Sequence, residues 1–515
     1  MSLNMYLGAA SSQKNSMNSL CIEIIQSMEQ VKSSIKTFYG AILLQGKTYR
    51  TAKLFMTQTY LPLAQGIIYL CEELIRQNDR YINDFKSEVA TTDVKEQEIA
   101  EQIREIDKMI TKYEELNNTE PFFHSIIVVY QVMKKNLQDK LQRLYAYNTK
   151  SANNYETALQ LAKGVIDGLQ AVQDGKGFNS QSGTFSTEGM NLDWIAHIDK
   201  THYTRKAKEE YGDYLKEYPD NIDKVITIIK YEESNPEYVE DTNEFLSPLE
   251  THDTIEIKYL IYSADEPYRR LSLQYLDQVE IAAIDESGVF SSDKNTIKFD
   301  VEDDRTNDRG KYFTFFHELG HAIDYYHGTE HGYDGFISES FEYEGKTLTE
   351  YMYEDVENKI REQLKMELEQ EDYDELTSIE KDELINNVSE HFIYNGPSNQ
   401  VLSTDEKDLF MEVKTQLSNE LRPDHHNNAS DVYGGVTVNQ IKGKWAHHEE
   451  SYWIDEETGE RVREPNKEGF ASYYGTIMLE EDDHRNGQLQ SHKDYLPTST
   501  EHMDAMFESM EGERS

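Results

Sequence analysis

Apolar side chains recur at three- and four-residue spacings through most of the first 170 positions of the chain. In Val94–Leu116 the series Ile99, Ile103, Ile106, Ile110 and Tyr113 runs between Glu, Lys and Arg residues, the pattern of a helix with one buried face. Similar stripes cross Leu20–Met28 and Ala52–Leu74, and a further long helical stretch covers Phe122–Leu169. No proline occurs between Pro62 and Pro121. Helices this long with so few breakers predict an all-α N-terminal hairpin or bundle, the build of an interaction module.

The pattern breaks at residues 174–189, DGKGFNSQSGTFSTEG, where four Gly and three Ser stand without an aliphatic side chain. This composition predicts a loop or linker and places a domain boundary there or slightly after it, giving a helical domain over 1–200 and a second domain over 201–515. Beyond it, Ile255–Ile261, Val279–Ile284 and Thr296–Val301 read as short strands. Helical runs follow at Tyr312–Tyr326, Leu348–Glu369 and Ile379–Phe392. Strands and helices in separate blocks predict an α+β domain, so the chain is read as multidomain. No repeat at a fixed period is present.

Charge narrows the choice of partners. The 515 residues carry 51 Lys+Arg against 97 Asp+Glu, a net charge of −46. Phosphate backbones demand clustered cations, so nucleic acid is not expected as a partner, and an anionic membrane surface is disfavoured for the same reason. With 35 Tyr, 19 Phe and 10 Pro, the composition is that of folded material and not of an acidic disordered chain. Cys21 and Cys71 sit in apolar contexts and are read as small buried thiols. The first twenty residues lack a basic stretch followed by a continuous apolar one, and no run of about 18 apolar residues exists. A soluble protein with no integral membrane segment is expected, leaving the cell, if it does, by a route other than a Sec leader.

The strongest chemical signal lies in Lys311–Gly328, KYFTFFHELGHAIDYYHG, which contains the HExxH motif His317-Glu318-Leu319-Gly320-His321. Positions i and i+4 share one helix face, so both imidazoles can reach one metal ion. Glu318, turned about 100° from His317, can hold and deprotonate an attacking water that zinc activates. Phe316, Leu319, Ile323 and Tyr326 make an apolar seam, Gly328 is a candidate C-cap, and the strand-like TIKFDV upstream is a candidate edge for pairing with substrate backbone.

A catalytic zinc site needs a third protein ligand. His327 has the spacing of HExxHxxGxxH, but Asp324 replaces the glycine that turns the chain. If the helix continues, His327 lies about 240° round the axis from His321. Glu468, in PNKEGFASYY with the small Ala471 beside it, is the preferred alternative. In KGKWAHHEESYW, His447, His448 and Tyr452 are candidates for stabilising an oxyanion, or members of a structural aromatic cluster with Trp453. The polar run His425-His426-Asn427-Asn428 reads as loop, and the acidic stretch Glu367–Glu383 as a solvated helical surface.

Two resemblances add to this reading. Leu44-Gln45-Gly46 within AILLQGKTYRTAKLFMTQTYLPLAQG, with its helical frame, resembles the LXG domain of bacterial polymorphic toxins exported by type VII secretion, over about residues 1–200. The resemblance implies a leaderless secreted protein, small helical partner proteins at the LXG domain, a toxin at the C-terminus and an immunity protein that binds it. HELGHAIDYY is similar to the zinc helix of the anthrax lethal factor catalytic domain, and Glu468-Gly-Phe-Ala471 to that family's third-ligand helix. This match implies a zincin-like fold in which His317, His321 and Glu468 bind Zn2+ and Glu318 is the general base. The family's catalytic tyrosine falls at Arg461 here, which leaves His448 or Tyr452 as the nominees for its role. Asp431-Val-Tyr-Gly-Gly435 and the KWAHHEESYW stretch also look like a segment of metallopeptidase domains in toxin and phage-head proteins, which implies that His448 lies near the active site.

The sequence is therefore read as a secreted bacterial toxin or effector with a helical export domain and a zinc endopeptidase domain that cleaves a target protein. The competing reading is a non-enzymatic helical scaffold with an incidental HExxH; a metal-dependent hydrolase of a non-peptide bond is a third.

Overall fold

The computed structural model describes residues 2–117, 122–174, 177–369, 373, 375–393, 402–423, 426–444, 446, 448–455 and 457–512. The chain divides into two compact units, Met1–Gly212 and Asp213–Ser515. Among the described residues, no helix is long and apolar enough to cross a membrane.

The first unit is built from α1 (Leu7–Gly40), α2 (Lys47–Gln58), α3 (Tyr60–Glu88), α4 (Glu96–Asn117), α5 (His124–Ser151), α6 (Glu156–Asp174) and α7 (Asp193–Glu210). α1 packs along α3, α4 along α5, and α6 against both α3 and α7. One core gathers Ile82, Phe85, Ile99, Leu144 and Tyr147, and another gathers Leu63, Leu161, Val165, Trp194 and Ile198. Cys21 and Cys71 are free and buried. Two expected helices are divided. Ala52–Leu74 breaks at Thr59, because Pro62 is harmless in the first turn of α3 but would remove a hydrogen bond from a continuous helix. Phe122–Leu169 breaks over 152–155.

The Gly/Ser-rich stretch is no open linker. Its β3 (Phe178–Asn179) and β4 (Thr184–Phe185) pair antiparallel, as do β1 (Asn4–Met5) and β2 (Val94–Lys95). Phe185 sits 5.7 Å from the Phe55 ring of α2, and its N–H donates to Thr51 Oγ1 at 3.1 Å. Two phenylalanines supply the anchor that a search for aliphatic residues overlooks.

The second unit is helix-dominated, with a three-stranded sheet before the motif helix and a two-stranded hairpin, Glu342–Tyr343 with Lys346–Thr347, after it. Helices α8 (Ile222–Ser234) and α9 (Thr251–Ser263) precede β5 (Glu280–Ala283), β6 (Asp285–Ser291) and β7 (Thr296–Asp300), arranged β5-β7-β6. β7 pairs parallel with β5 and antiparallel with β6. The motif helix α10 (Phe313–Glu330) follows, then α11 (Leu348–Leu368), α12 (Ser378–Ile393), α13 (Thr404–Glu420), α14 (Asn427–Val436), α15 (Asn466–Ile477), α16 (Asp483–Tyr495) and α17 (Pro497–Gly512).

Three local expectations are corrected. Ile255–Ile261 is helical, part of α9, not a strand. The polar positions that mimic a solvent face are buried in ion pairs: Glu256 with Lys224 at 2.7 Å and Lys258 with Glu232 at 2.6 Å, so the alternation carries no exposure signal. TIKFDV is the central strand; the edge against α10 is β6. Gly328 lies inside α10, not at its end. A side chain there would meet the carbonyl oxygen of Gly335 at 2.0 Å, so the glycine serves close approach and not a turn.

The start of α10 is fixed from a distance. Tyr312 adopts a left-handed conformation (φ 62°), and its hydroxyl donates to Asp253 Oδ1 at 2.9 Å. The buried Asp304 carboxylate accepts the N–H groups of Thr314 and Phe315, both at 2.9 Å, two of the donors that a helix N-terminus leaves unpaired. Removing it strands both in a dry environment. Asp304→Ala should therefore lower stability by about 2 kcal/mol, seen as a lower denaturant midpoint, with Asp304→Asn intermediate. An unchanged midpoint in the alanine variant would refute this capping role.

Candidate metal centre

α10 presents His317 and His321 one turn apart, their rings 4.7 Å apart and nearly perpendicular. α15 crosses α10 closely because small residues meet at the contact. A Cβ on Gly320 would lie 3.0 Å from Ala471 Cα, and one on Gly475 would lie 3.3 Å from the His317 backbone nitrogen. The crossing brings Glu468 to the histidine face. Donor atoms of His317, His321 and Glu468 all lie within 4.8 Å of one another, and Glu468 Oε2 is 3.3 Å from His317 Nε2 and 3.6 Å from His321 Nε2. Tetrahedral ligation at about 2.0–2.1 Å needs donors roughly 3.3 Å apart, so a small adjustment would seat a zinc-sized ion.

His327, the rival third ligand, is not in this group. α10 continues past Asp324, and His327 Nδ1 is instead 2.9 Å from the Tyr275 hydroxyl, its ring stacked on His331. Burial drives His327 down to about 3, keeping it neutral.

The electrostatics of the three donors suit a cation. Burial lowers His317 to about 4. For His321 burial opposes the charge, but the Glu468 carboxylate overrides it and holds the imidazolium up to about 9. Glu468 is likewise penalised by burial, yet His321, His317 and His448 hold it well below the usual carboxylate range. The Glu468 carboxylate thus favours positive charge on the His321 side, while His317 stays neutral with a lone pair to offer, and metal binding would exchange the His321 proton for the ion. Glu318, turned off the ligand face, is buried under β6, and burial pushes its carboxyl up to about 7. Gly288 of β6 makes room for it: a Cβ there would lie 2.8 Å from Glu318 Oε1 and 2.5 Å from the Thr314 methyl.

The segment following α14 closes another side. His448 Nε2 is 3.3 Å from Glu468 Oε2, and Tyr452 donates its hydroxyl to Glu468 Oε1 at 2.6 Å. The His448 and Tyr452 rings stack at 3.7 Å. Both nominated residues therefore reach the third ligand, whereas Arg461 does not. Its guanidinium donates to the carbonyls of Gly435 and Val436 at 2.6 and 2.9 Å, where it satisfies the C-terminus of α14. His447 and His425 lie outside the described residues. His426 Nδ1 is paired with Ser491 Oγ at 2.6 Å.

Sequence reasoning missed several supporting groups. Ser472 Oγ is 3.2 Å from His317 Nδ1 and orients that ring; its spacing of one turn from Glu468 is the signal that could have found it. Asp324 accepts from Ser338 N and Oγ at 2.8 and 2.6 Å, and Asn466 Nδ2 donates to the same Oγ at 3.1 Å. This chain ties the middle of α10 to the start of α15, two residues before Glu468. The buried pair Arg309–Asp431, at 3.0 Å, joins the approach to α10 to α14. Neither contact has a signature in local sequence.

No family model matches the chain, and no solved structure matches it. A curated protein of Bacillus cereus named "Toxin" is 54% identical to it over 200 residues. That similarity spans 38% of this chain and 37% of the relative, well under two thirds of either.

Proposed function

We propose that the chain is a bacterial toxin or effector whose second unit is a zinc-dependent endopeptidase acting on a target protein. The observation that carries the reading is the convergence of His317 and His321 from one helix with Glu468 from another, with a buried carboxylate, Glu318, beside them. The relative named "Toxin" supports the broader role. Leu44-Gln45-Gly46 supports reading the first unit as an LXG module that directs type VII export with small helical partners, and an immunity protein would bind the second unit.

Zinc held by His317, His321 and Glu468 would supply Lewis acidity toward a carbonyl and toward water. The chain's own residues perform the rest. Glu318 takes the proton of the attacking water and delivers it to the leaving amine. Tyr452 donates its hydroxyl to Glu468 and holds that ligand in place, while His448, whose Nε2 lies 3.3 Å from Glu468 Oε2, would turn from that carboxylate to donate to the developing carbonyl oxyanion. The β6 edge offers backbone groups to an extended substrate.

Elemental analysis of the purified full chain should find about one zinc per molecule, lost in Glu468→Ala and kept in His327→Ala. A folded wild-type protein that takes up no zinc when supplied would leave the scaffold reading in its place. Separately, Glu318→Gln should keep fold and zinc but abolish toxicity on expression in a susceptible cell, a loss of at least about 100-fold in activity. A variant that still kills would sink the peptidase mechanism.

A further inference from the structure

Beside the candidate centre lies a cavity of about 410 Å³ whose lining includes Glu468, Tyr452, Val462 and three cations, Arg461, Arg463 and Lys467. The same lining holds three carboxylates, Glu339, Glu464 and Glu468, so what sets a cation apart here is whether it is already paired. Two of the three cations are already engaged. Arg461 donates to two backbone carbonyls, and Lys467 pairs with Glu339 at 2.7 Å while lying over the Phe336 ring at 3.9 Å. Glu464, also in the lining, accepts from the Tyr353 hydroxyl at 3.0 Å. Arg463 is different. Its guanidinium lies 4.0 Å above the Tyr452 ring, and among the described residues it has no carboxylate partner. Stacking on an aromatic face fixes the plane of the guanidinium and leaves its N–H edge free for a planar, two-oxygen acceptor.

Resting on the peptidase reading above, we propose that this cavity is a substrate subsite that takes an acidic side chain, Asp or Glu, close to the scissile bond, with Arg463 as its specificity-determining residue. Tyr452 links the two functions, because it donates to Glu468 on one edge and carries Arg463 on its face. A carboxylate on Arg463 is therefore held one ring away from the third ligand. A charge-assisted, two-point contact of this kind discriminates against amide and cationic side chains. The acidity of the whole chain repels such a substrate at long range, but that repulsion is screened at physiological salt while the short contact is not.

The test uses the zinc-loaded full chain and three peptide hydroxamates identical except for a Glu, Gln or Lys side chain, placed in turn on either side of the chelating group. Binding is measured by calorimetry at about 0.15 M salt, and zinc content is measured in parallel. In one placement the Glu probe should bind at least about tenfold tighter than Gln, a difference of about 1.4 kcal/mol, and tighter still than Lys. Arg463→Gln should erase the preference, Arg463→Glu should reverse it toward Lys, and Arg463→Lys should retain part of it. Equal affinities for the three probes, or a preference untouched by Arg463→Gln, would overturn the subsite while leaving the metal centre standing. Failure of all three probes to bind a zinc-replete protein would overturn both, and failure to load zinc at all would place the fault in the centre.

Discussion

The close crossing of α10 and α15 is the contact on which the candidate centre depends. A metal site tolerates deviations of only about 0.2 Å in its ligand distances, yet its donors come from positions 147 residues apart, His321 and Glu468. A glutamate side chain spans the gap only if the two backbones nearly touch. Gly320, Ala471 and Gly475 permit that approach, and Asp324, Ser338 and Asn466 set its register through hydrogen bonds at 2.6–3.1 Å. Packing supplies proximity, and the polar chain selects one sliding position among the several that smooth apolar surfaces would allow.

Buried aspartates perform a second, less visible task in the same unit. Asp304 accepts from the first turn of α10. Asp355 accepts from Thr498 and Ser499 at the start of α17, with N–H distances of 3.3 and 2.8 Å. Asp324 accepts from Ser338 N. Each carboxylate sits where a helix N-terminus, that of α10, α17 or the short helix Ile337–Ser340, offers unpaired donors, and each comes from elsewhere in the chain. Part of the acidity is thus internal structure, so the net charge overstates how negative the surface is.

This division explains what was legible in the sequence. Helices with one apolar stripe, such as Glu96–Asn117 with Ile99 and Ile106 buried, announce themselves because burial follows the helical period. The HExxH spacing is equally local, as is the continuation of α10 through Asp324. α9 failed that test because Glu256 and Lys258 are buried in ion pairs, so polarity and exposure part company. β6 was missed because DESGVFS has little apolar content: an edge strand that is mostly exposed needs only Phe290, which packs on Tyr325 and Tyr326, to hold it. Ser472, Asn466 and Asp431 act through partners 122 to 155 residues away, and no window along the chain contains both members of such a pair.

Charge and chemistry are finally connected by distance. A strongly acidic molecule raises the local concentration of divalent cations and lowers that of anions, which favours loading a metal and works against an acidic substrate on approach. Within a few ångströms the charges are mixed: Arg309 is buried and paired with Asp431, and Arg461, Arg463 and Lys467 line the cavity beside Glu468 together with Glu339 and Glu464. Since screening removes the far field beyond about 8 Å at physiological salt, what a ligand in this cavity would meet is set by the local pairing of its three cations and three carboxylates, Glu339, Glu464 and Glu468, and not by the net charge.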